Sequence, residues 1–393
     1  MSSFKALHDA PRIAIILPPK EGFTPGAVGA IGLLVERLVR AGAHGTVIGR
    51  PNRAPTFPGI PFIPVKPGWG LNSATRYANG IAHILRQYHP ALIEVHNWPE
   101  IALRLARTGT PTTLILNNDP QSMRGARTPQ GRAALLNRLA AVATSSEWLR
   151  ARFLDGVPNT PRRPTVLPNC IDVPSLPLPS RDPTILFAGR IVSDKGADLF
   201  VDACALALPR LPGWSATMIG ADRFRADSPD TPFIQSLRPR AAAAAVTLQG
   251  HLPNPEVIAA MRRAAIVVVP SRWPEPFGLV ALEAMAAGAA LICTPNGGLP
   301  EVAGGTALYA DPTPASLADA ILALAQDVPR REALAHAARA RAETFDAPAA
   351  AQRLIAFRDA ALPPPPKPPS PKPPPPRVQA SSIPSPRTPP ARP

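Results

Sequence analysis

The sequence predicts an α/β protein built from doubly wound parallel sheets in two domains. Three observations carry this. Short apolar runs rich in β-branched residues, such as 12–17, 112–116 and 265–269, do not alternate with polar residues, the pattern of strands buried on both faces. Stretches with helical spacing, such as 27–41 and 73–88, separate such runs. A length of 393 residues favours two or three domains, and a hydrophobic content of 45% is enough for sizeable cores.

In chain order, residues 12–17 form the first strand and 18–26 a loop containing Gly22. A helix over 27–41 follows, with Gly29 in its first turn, Ile31, Leu34, Val35, Leu38 and Val39 at helical spacing, and Gly42 as its stop. Strand, glycine loop and helix together bring backbone N–H groups close to a phosphate or polar ligand. Gly26 and Gly29 are therefore candidates for such a contact, although the loop does not match Gly-x-Gly-x-x-Gly and both could serve only as turn formers. Strands follow at 46–48, 62–65, 92–96, 112–116, 141–144 and 164–167, with a helix over 73–88 and a second one opened by Ser145-Ser146-Glu147 as cap. Ligands of such sheets sit at the carboxyl ends of strands, and His96 and Asn117 fall at two of these ends.

The second half begins with a strand at 184–188 that runs into Gly189-Arg190-Ile-Val-Ser-Asp-Lys195-Gly196. Arginine can make a forked pair of bonds and lysine supplies a point charge, so this loop suits a diphosphate; a solvated basic turn is the alternative. Further strands are expected at 217–220, 246–250, 265–269 and 289–294, and helices from Asn254 and over 317–325, 331–345 and 348–361, with Pro348 at a first helical position.

Residues 270–288 concentrate the chemistry. Pro274 and Pro276 force a loop, a helix spans 277–287, and Gly288 ends it. Glu275 precedes the helix and Glu283 lies about two turns inside. The N–H groups of Phe277, Gly278 and Leu279 point back at the loop and suit a phosphate or carboxylate. The two carboxylates can accept hydrogen bonds from sugar and ribose hydroxyls. An ordinary strand–loop–helix with two surface carboxylates would show the same spacing.

Glu275, seven residues and Glu283, with Phe277-Gly278 after the first, closely resemble the signature of the retaining glycosyltransferases of family four, which have the GT-B architecture. Gly189-Arg190 with Lys195-Gly196 matches the pair that holds the donor diphosphate in that family. Pro168-Asn-Cys-Ile-Asp172 resembles the motif that marks the passage between its domains, with Cys170 in place of glycine. Residues 246–252, including Gly250 and His251, resemble the segment that reads the nucleotide base, and 296–301 the Gly-Gly-x-Pro-Glu loop near the donor. The resemblance covers about residues 11–360 and is strongest over 184–310.

It implies two Rossmann-like domains facing across a cleft: an acceptor domain at 1–172, a linker at 173–183, a nucleotide-sugar domain at 184–345, a helix crossing back at 346–361, and a tail from 362. It implies transfer of a hexose-type sugar, with retention, from a nucleotide diphosphate donor to a glycan or lipid-linked acceptor, in synthesis of lipopolysaccharide or another surface polysaccharide. In that reading Arg190 and Lys195 stabilise the departing diphosphate, Glu275 orients the donor sugar and Glu283 binds the ribose. Gly189, Phe277, Gly278, Leu279, Gly250 and His251 complete the donor site, and the loop of Gly26 and Gly29 receives the acceptor. Asn117 stands where many members have a histidine, so either His96 covers that role, or none is needed, or activity is weakened. The sequence has no Asp-x-Asp triplet, and neither a metal nor a cofactor beyond the donor is expected. The alternatives are a nucleotide-sugar epimerase of similar architecture and a non-catalytic sugar-nucleotide binder.

The net charge of +15 includes five unpartnered cations after Ala361, leaving +10 on the rest. Such a chain suits anionic sugar nucleotides and an anionic membrane surface. Nucleic acid is not an expected partner, because aromatics are only 5% and no aromatic-rich basic face is evident. Three separated cysteines, Cys170, Cys204 and Cys293, suggest a reducing compartment without a disulfide framework. The N-terminus lacks the apolar core of a signal peptide, and no run approaches the roughly 18 apolar residues of a membrane span. A cytoplasmic protein, peripheral at the inner face of the membrane if it meets one, is expected. The Pro-rich, basic stretch 362–393 reads as disordered and partly polyproline II.

Overall fold

The computed structural model describes residues 12–173, 179–222 and 230–363. The first half contains β1 (Ile13–Ile16), α1 (Ala30–Arg40), β2 (Thr46–Gly49), β3 (Phe62–Pro64), α2 (Ser73–Tyr88), β4 (Leu92–His96), α3 (Pro99–Leu105), β5 (Thr112–Leu116), α4 (Pro129–Arg138), β6 (Ala141–Thr144), α5 (Glu147–Leu154) and β7 (Thr165–Val166). These strands form one sheet in the order β3-β2-β1-β4-β5-β6-β7, parallel throughout.

The second half contains β8 (Asp182–Ala188), α6 (Ala197–Ala207), β9 (Ser215–Ile219), α7 (Pro232–Ala243), β10 (Val246–Gly250), α8 (Asn254–Arg263), β11 (Ala264–Val269), α9 (Leu279–Ala286), β12 (Ala290–Cys293), α10 (Leu299–Ala303), β13 (Leu308–Tyr309), α11 (Pro314–Gln326), α12 (Val328–Glu343) and α13 (Ala347–Ala361). Its sheet runs β10-β9-β8-β11-β12-β13, again all parallel. Both sheets reverse direction beside their first strand, at β1/β4 and β8/β11. The crevice at such a switch point, outside the carboxyl ends of the strands, is where ligands bind in open parallel sheets.

Each sheet is covered on both faces, which is why its strands lack polar alternation. Leu114, Ile93 and Ile16 pack under α2 to α5 on one face of the first sheet, while Val35, Val39 and Ile15 pack on the other. A fully buried side chain of this size contributes about 1.5–3 kcal/mol. Helix α13 returns to the first half: Leu354 and Phe357 pack with Leu34, Leu38 and Ile115. Its Arg358 donates to both oxygens of Glu94, at 2.8 and 2.9 Å, and to the carbonyls of Ala43 and His44. Cys170, Cys204 and Cys293 are buried free thiols, and burial pushes those of Cys170 and Cys293 up to about 12.

The fold class agrees with the sequence, and some boundaries move. The helix expected from residue 27 starts at Ala30, because Ala27 N–H closes a turn onto the Thr24 carbonyl and Gly29 stays extended as the N-cap. The helix expected from residue 277 starts at Leu279, because Gly278 is left-handed, with φ 104°. Glu283 therefore lies just over one turn inside, not two. β8 begins at Asp182, within the stretch read as linker, whose residues 174–178 lie outside the described residues. The compact unit holding both sheets ends at Leu362, and the tail from residue 364 lies outside the described residues. Among the described residues no helix is long and apolar enough to cross a membrane.

Candidate functional site

A cleft of about 920 Å³ is lined by the carboxyl-end loops of both sheets. From the second half come Gly189, Arg190, Lys195, His251, Glu275, Phe277, Gly278, Leu279 and Glu283; from the first come Gly26, Gly29 and Asn117. Two residues singled out by sequence stand outside the lining. The carbonyl of Gly250 accepts from the Gly220 N–H at 2.8 Å, a structural bond at the end of β10. His96 has a fully buried ring whose Nε2 lies 3.0 Å from Glu94 Oε1. The ring lies against the Glu94–Arg358 pair under α13, and its Nδ1 is buried without a protein partner.

Glu275 is the most constrained group in the cleft. Lys195 Nζ lies 2.5 and 2.7 Å from its two oxygens, and the buried Ser271 hydroxyl donates to Oε1. The Lys195 loop is fixed to the Glu275 loop from behind. Arg272 and Trp273 N–H both donate to the Asp194 carbonyl at 3.0 Å, and the Arg272 guanidinium forks onto Asp198 at 2.6 and 2.8 Å. Among the described residues the exposed Arg190 side chain has no hydrogen-bond or ion-pair partner. The site therefore combines one paired cation, one unpaired cation and the N-terminus of α9.

The backbone around Glu275 depends on Gly297. This residue bridges Glu275 in parallel fashion and has φ 67°, and a Cβ there would stand 2.3 Å from the Glu275 carbonyl oxygen. Only glycine allows that approach. At Gly278, a Cβ would meet Leu299 Cδ2 at 2.5 Å. The Gly297-Gly298 step is thus what lets the loop before α10 close against the loop before α9.

Glu283 is largely buried, its side chain 12% exposed, and that burial pushes its carboxyl pKa up, partly offset by Arg37 and by a hydrogen bond from Asn254. Asn254 Nδ2 lies 3.2 Å from Oε1, and Arg37 Nη2, from α1 in the first half, lies 3.9 Å away. Arg37 also reaches Asp172 Oδ2 at 3.5 Å, in the passage between the halves. On the first-half wall, Glu21 Oε1 accepts from the Gly32 N–H at 2.9 Å and fixes the loop beside Gly29; burial raises its pKa as well. Asn117 N–H donates to Asn97 Oδ1 at 2.7 Å, while its side-chain Nδ2 and Oδ1 are buried without a partner.

Two contacts tie α5 of the first half to these loops. The Ser146 hydroxyl, the N-cap of α5, donates to the Pro276 carbonyl at 2.5 Å. The Glu301 carboxylate accepts from the N–H groups of Glu147 at 2.7 Å and Trp148 at 2.6 Å. Carboxylates are favoured at a helix N-terminus by its unpaired N–H groups and dipole. Sequence reasoning missed Arg37, Ser271, Asn254 and the Ser146–Pro276 contact. Only the cap pattern at Ser145-Ser146-Glu147 hinted at the last. Among the described residues no cluster of three His, Cys, Asp or Glu could hold a metal ion.

Comparison with known proteins agrees with this layout. Residues 171–341 match the family model "Glycosyl transferases group 1" and residues 26–170 the model "Glycosyl transferase 4-like domain". The chain is 36% identical over 220 residues to a glycogen synthase of Mycobacterium tuberculosis, covering 52% of this chain and 51% of that protein. It is 34% identical over 221 residues to the lipopolysaccharide core biosynthesis mannosyltransferase LpsB of Rhizobium meliloti, covering 50% and 58%. The chain thus spans about half the length of the curated relatives it matches. Among solved structures, Anabaena HepE in complex with UDP and glucose superposes with a TM-score of 0.70 at 19% identity, covering 89% of this chain and all of that one. Sucrose-phosphate synthase from Thermosynechococcus elongatus gives 0.71 at 21% identity, covering 88% and 98%. These two likenesses concern the fold, which is that of GT-B glycosyltransferases. The two family models adjoin and together take in residues 26–341, and the chain belongs to the group 1 glycosyltransferases with a glycosyltransferase 4-like first domain.

Proposed function

We propose that the chain transfers a hexose-type sugar from a nucleotide diphosphate donor to a glycan or lipid-linked acceptor, with retention at the anomeric carbon and without a metal ion. The observation that carries this is the Lys195–Glu275 pair at the start of α9, beside the unpaired Arg190, in a cleft walled by both halves. In the reaction the bond from the sugar anomeric carbon to the diphosphate oxygen breaks. A bond from the acceptor hydroxyl oxygen to that carbon forms, and the hydroxyl proton passes to the departing phosphate.

Arg190, Lys195 and the α9 N-terminus stabilise the charge growing on the diphosphate, in place of a metal. Glu275 orients the donor sugar, Glu283 receives the ribose hydroxyls, and Asn117 offers its amide to the sugar from the opposite wall. The loop of Gly26 and Gly29 receives the acceptor. Likeness to a lipopolysaccharide mannosyltransferase supports a role in surface-polysaccharide synthesis, at the inner face of the cell membrane.

The test is mass-spectrometric detection of donor hydrolysis over UDP-, GDP- and ADP-sugars with EDTA present, for wild type and Glu275→Ala. Slow hydrolysis of one donor, lost in the variant, supports the reading and names the donor. Turnover that EDTA abolishes sinks its metal-free part. Nucleotide binding without turnover, even with acceptors supplied, favours a non-catalytic binder.

A further inference from the structure

The first half carries a surface that the transfer reaction does not use. Between Glu36 and Glu94 the sequence has no Asp or Glu and seven Arg or Lys. In the middle of this stretch, in the loop between β3 and α2, Trp69 is 86% and Leu71 96% exposed. Large apolar side chains so fully presented to water are uncommon and mark contact surfaces when they cluster.

The loop is built rather than frayed. Gly68 N–H donates to the Arg76 carbonyl at 2.8 Å, and Asn79 Nδ2 donates to the Trp69 carbonyl at 2.6 Å. Asn72 caps α2 through the Thr75 N–H at 2.8 Å. Cations surround it: Lys66 and Arg76 flank the loop and are exposed, and Arg104 donates to Asn79 Oδ1 at 2.5 Å. Glu100, on the same helix as Arg104, is paired with Arg124 at 3.2 Å.

Topology places this patch beside the cleft mouth. β3 is the edge strand of a fully parallel sheet, so the loop after it emerges on the same edge as the loops after β1 and β5, which carry Gly26 and Asn117 into the cleft.

We infer that Trp69 and Leu71, ringed by Lys66, Arg76 and Arg104, dock the protein onto an anionic lipid bilayer with the acceptor wall of the cleft near the membrane. A tryptophan ring suits the headgroup region, a leucine the acyl boundary beneath it, and cations the negative surface potential. From the preceding section this takes only the location at a membrane. Vesicle binding is read without turnover, so either proposal can fail alone.

The experiment is flotation of the full chain with vesicles of phosphatidylcholine alone and of phosphatidylcholine mixed equally with phosphatidylglycerol. Binding is expected only to the mixed vesicles, and Trp69→Ser with Leu71→Ser should weaken it about tenfold or more. Lys66→Glu with Arg76→Glu should do the same, and donor hydrolysis in solution should not change in either variant. The chain has five tryptophans, so the blue shift on mixed vesicles that is lost in Trp69→Phe isolates this ring. The proposal is overturned if wild type ignores the mixed vesicles, or if the serine variant binds them like wild type. It is also overturned if soluble heparin competes fully and binds both wild type and the serine variant equally, which would mark a polyanion site without insertion.

Discussion

Lys195 and Glu275 neutralise each other across the cleft floor, with Nζ 2.5 and 2.7 Å from the two carboxylate oxygens. Each therefore orients the other, and the Ser271 hydroxyl holds the carboxylate from behind. Removing either leaves a charge in a partly buried site without its partner. Lys195→Ala is expected to lower kcat by about 10²–10³-fold, the usual effect of losing one donor to a developing anion. Glu275→Ala should cost at least as much. The double variant should be no worse than the poorer single one, because groups acting as a unit are not additive. Single-turnover rates for the three variants check this; strictly multiplicative losses would separate the two roles.

Glu283 predicts a trade between stability and function. Burial raises its folded pKa above its ordinary value of 4.5. A carboxyl of this kind favours folding only when protonated. Its contribution is fully present below the unfolded pKa and is lost as pH rises through the folded pKa, so at neutral pH the ionised group weakens the fold. Glu283→Gln removes that cost while keeping a hydrogen-bonding side chain for Asn254. Its melting temperature should exceed wild type near neutral pH and approach it in acid. If Glu283 receives the ribose as proposed, donor KM should rise, since an amide is a weaker acceptor for ribose hydroxyls. Calorimetry at several pH values and donor kinetics measure both arms.

The sequence made the fold legible because buried parallel strands and amphipathic helices have one-dimensional signatures, and runs such as 92–96 and 112–116 coincide with β4 and β5. Arg190, Lys195, Glu275 and Glu283 were legible because each lies in a short local motif. What stayed hidden was pairing across the chain. Arg37 meets Glu283 from 246 positions away, and Ser146 meets Pro276 over a separation of 130. His96 falls at a strand end, where ligands usually lie, and its ring bonds Glu94, which pairs with Arg358 on the returning helix. No spacing near His96 announces a partner 264 residues on from Glu94.

The Glu301 contact with α5 should matter to both halves. Glu301→Gln keeps an acceptor oxygen for only one of the Glu147 and Trp148 N–H groups, turns an amide NH2 toward the other, and loses the charge that favours a helix N-terminus. It is expected to cost about 0.5–1 kcal/mol, and Glu301→Ala about 1–2 kcal/mol. Because the Ser146 hydroxyl both caps α5 and donates to Pro276, Ser146→Ala should add a fall in kcat to a similar loss of stability. Denaturant unfolding and steady-state kinetics on the same preparations distinguish the two effects. Unchanged kcat in Ser146→Ala would confine that residue to capping.

Arg358 fixes α13 to the first sheet, and its pair with Glu94 sets an acid limit. Burial alone would raise the Glu94 pKa, but Arg358 and the His96 hydrogen bond outweigh it and hold the carboxyl well below the usual range. The resulting stability is present above the unfolded value near 4.5 and is lost as pH falls through the folded pKa. Arg358→Ala should cost about 3–5 kcal/mol near neutral pH, because it leaves a buried carboxylate unpaired. The difference from wild type should shrink as pH falls, first as the unpaired buried Glu94 of the variant takes up a proton above its ordinary value, then as wild type loses the contribution of its pair below that value. Urea titrations across that range measure it, and a constant difference would mean that lost packing of α13, not the charge, dominates.

Asn117 carries the remaining prediction. Its side-chain Nδ2 and Oδ1 are both buried without a protein partner at the cleft wall, while its N–H is anchored to Asn97. An amide so placed can donate to one hydroxyl and accept from another, but it cannot take up a proton near neutral pH. If it holds the transferred sugar, Asn117→Ala should lower kcat/KM by about tenfold, a loss of one to two neutral hydrogen bonds. Asn117→Asp keeps the acceptor but adds a charge beside the donor, and should weaken donor binding rather than chemistry. Asn117→His tests whether the position tolerates a titratable ring: a pH dependence near neutrality that wild type lacks would place residue 117 at the sugar. Unchanged kinetics in Asn117→Ala would remove the residue from the site and leave Glu275 and Lys195 to orient the donor from the second half alone.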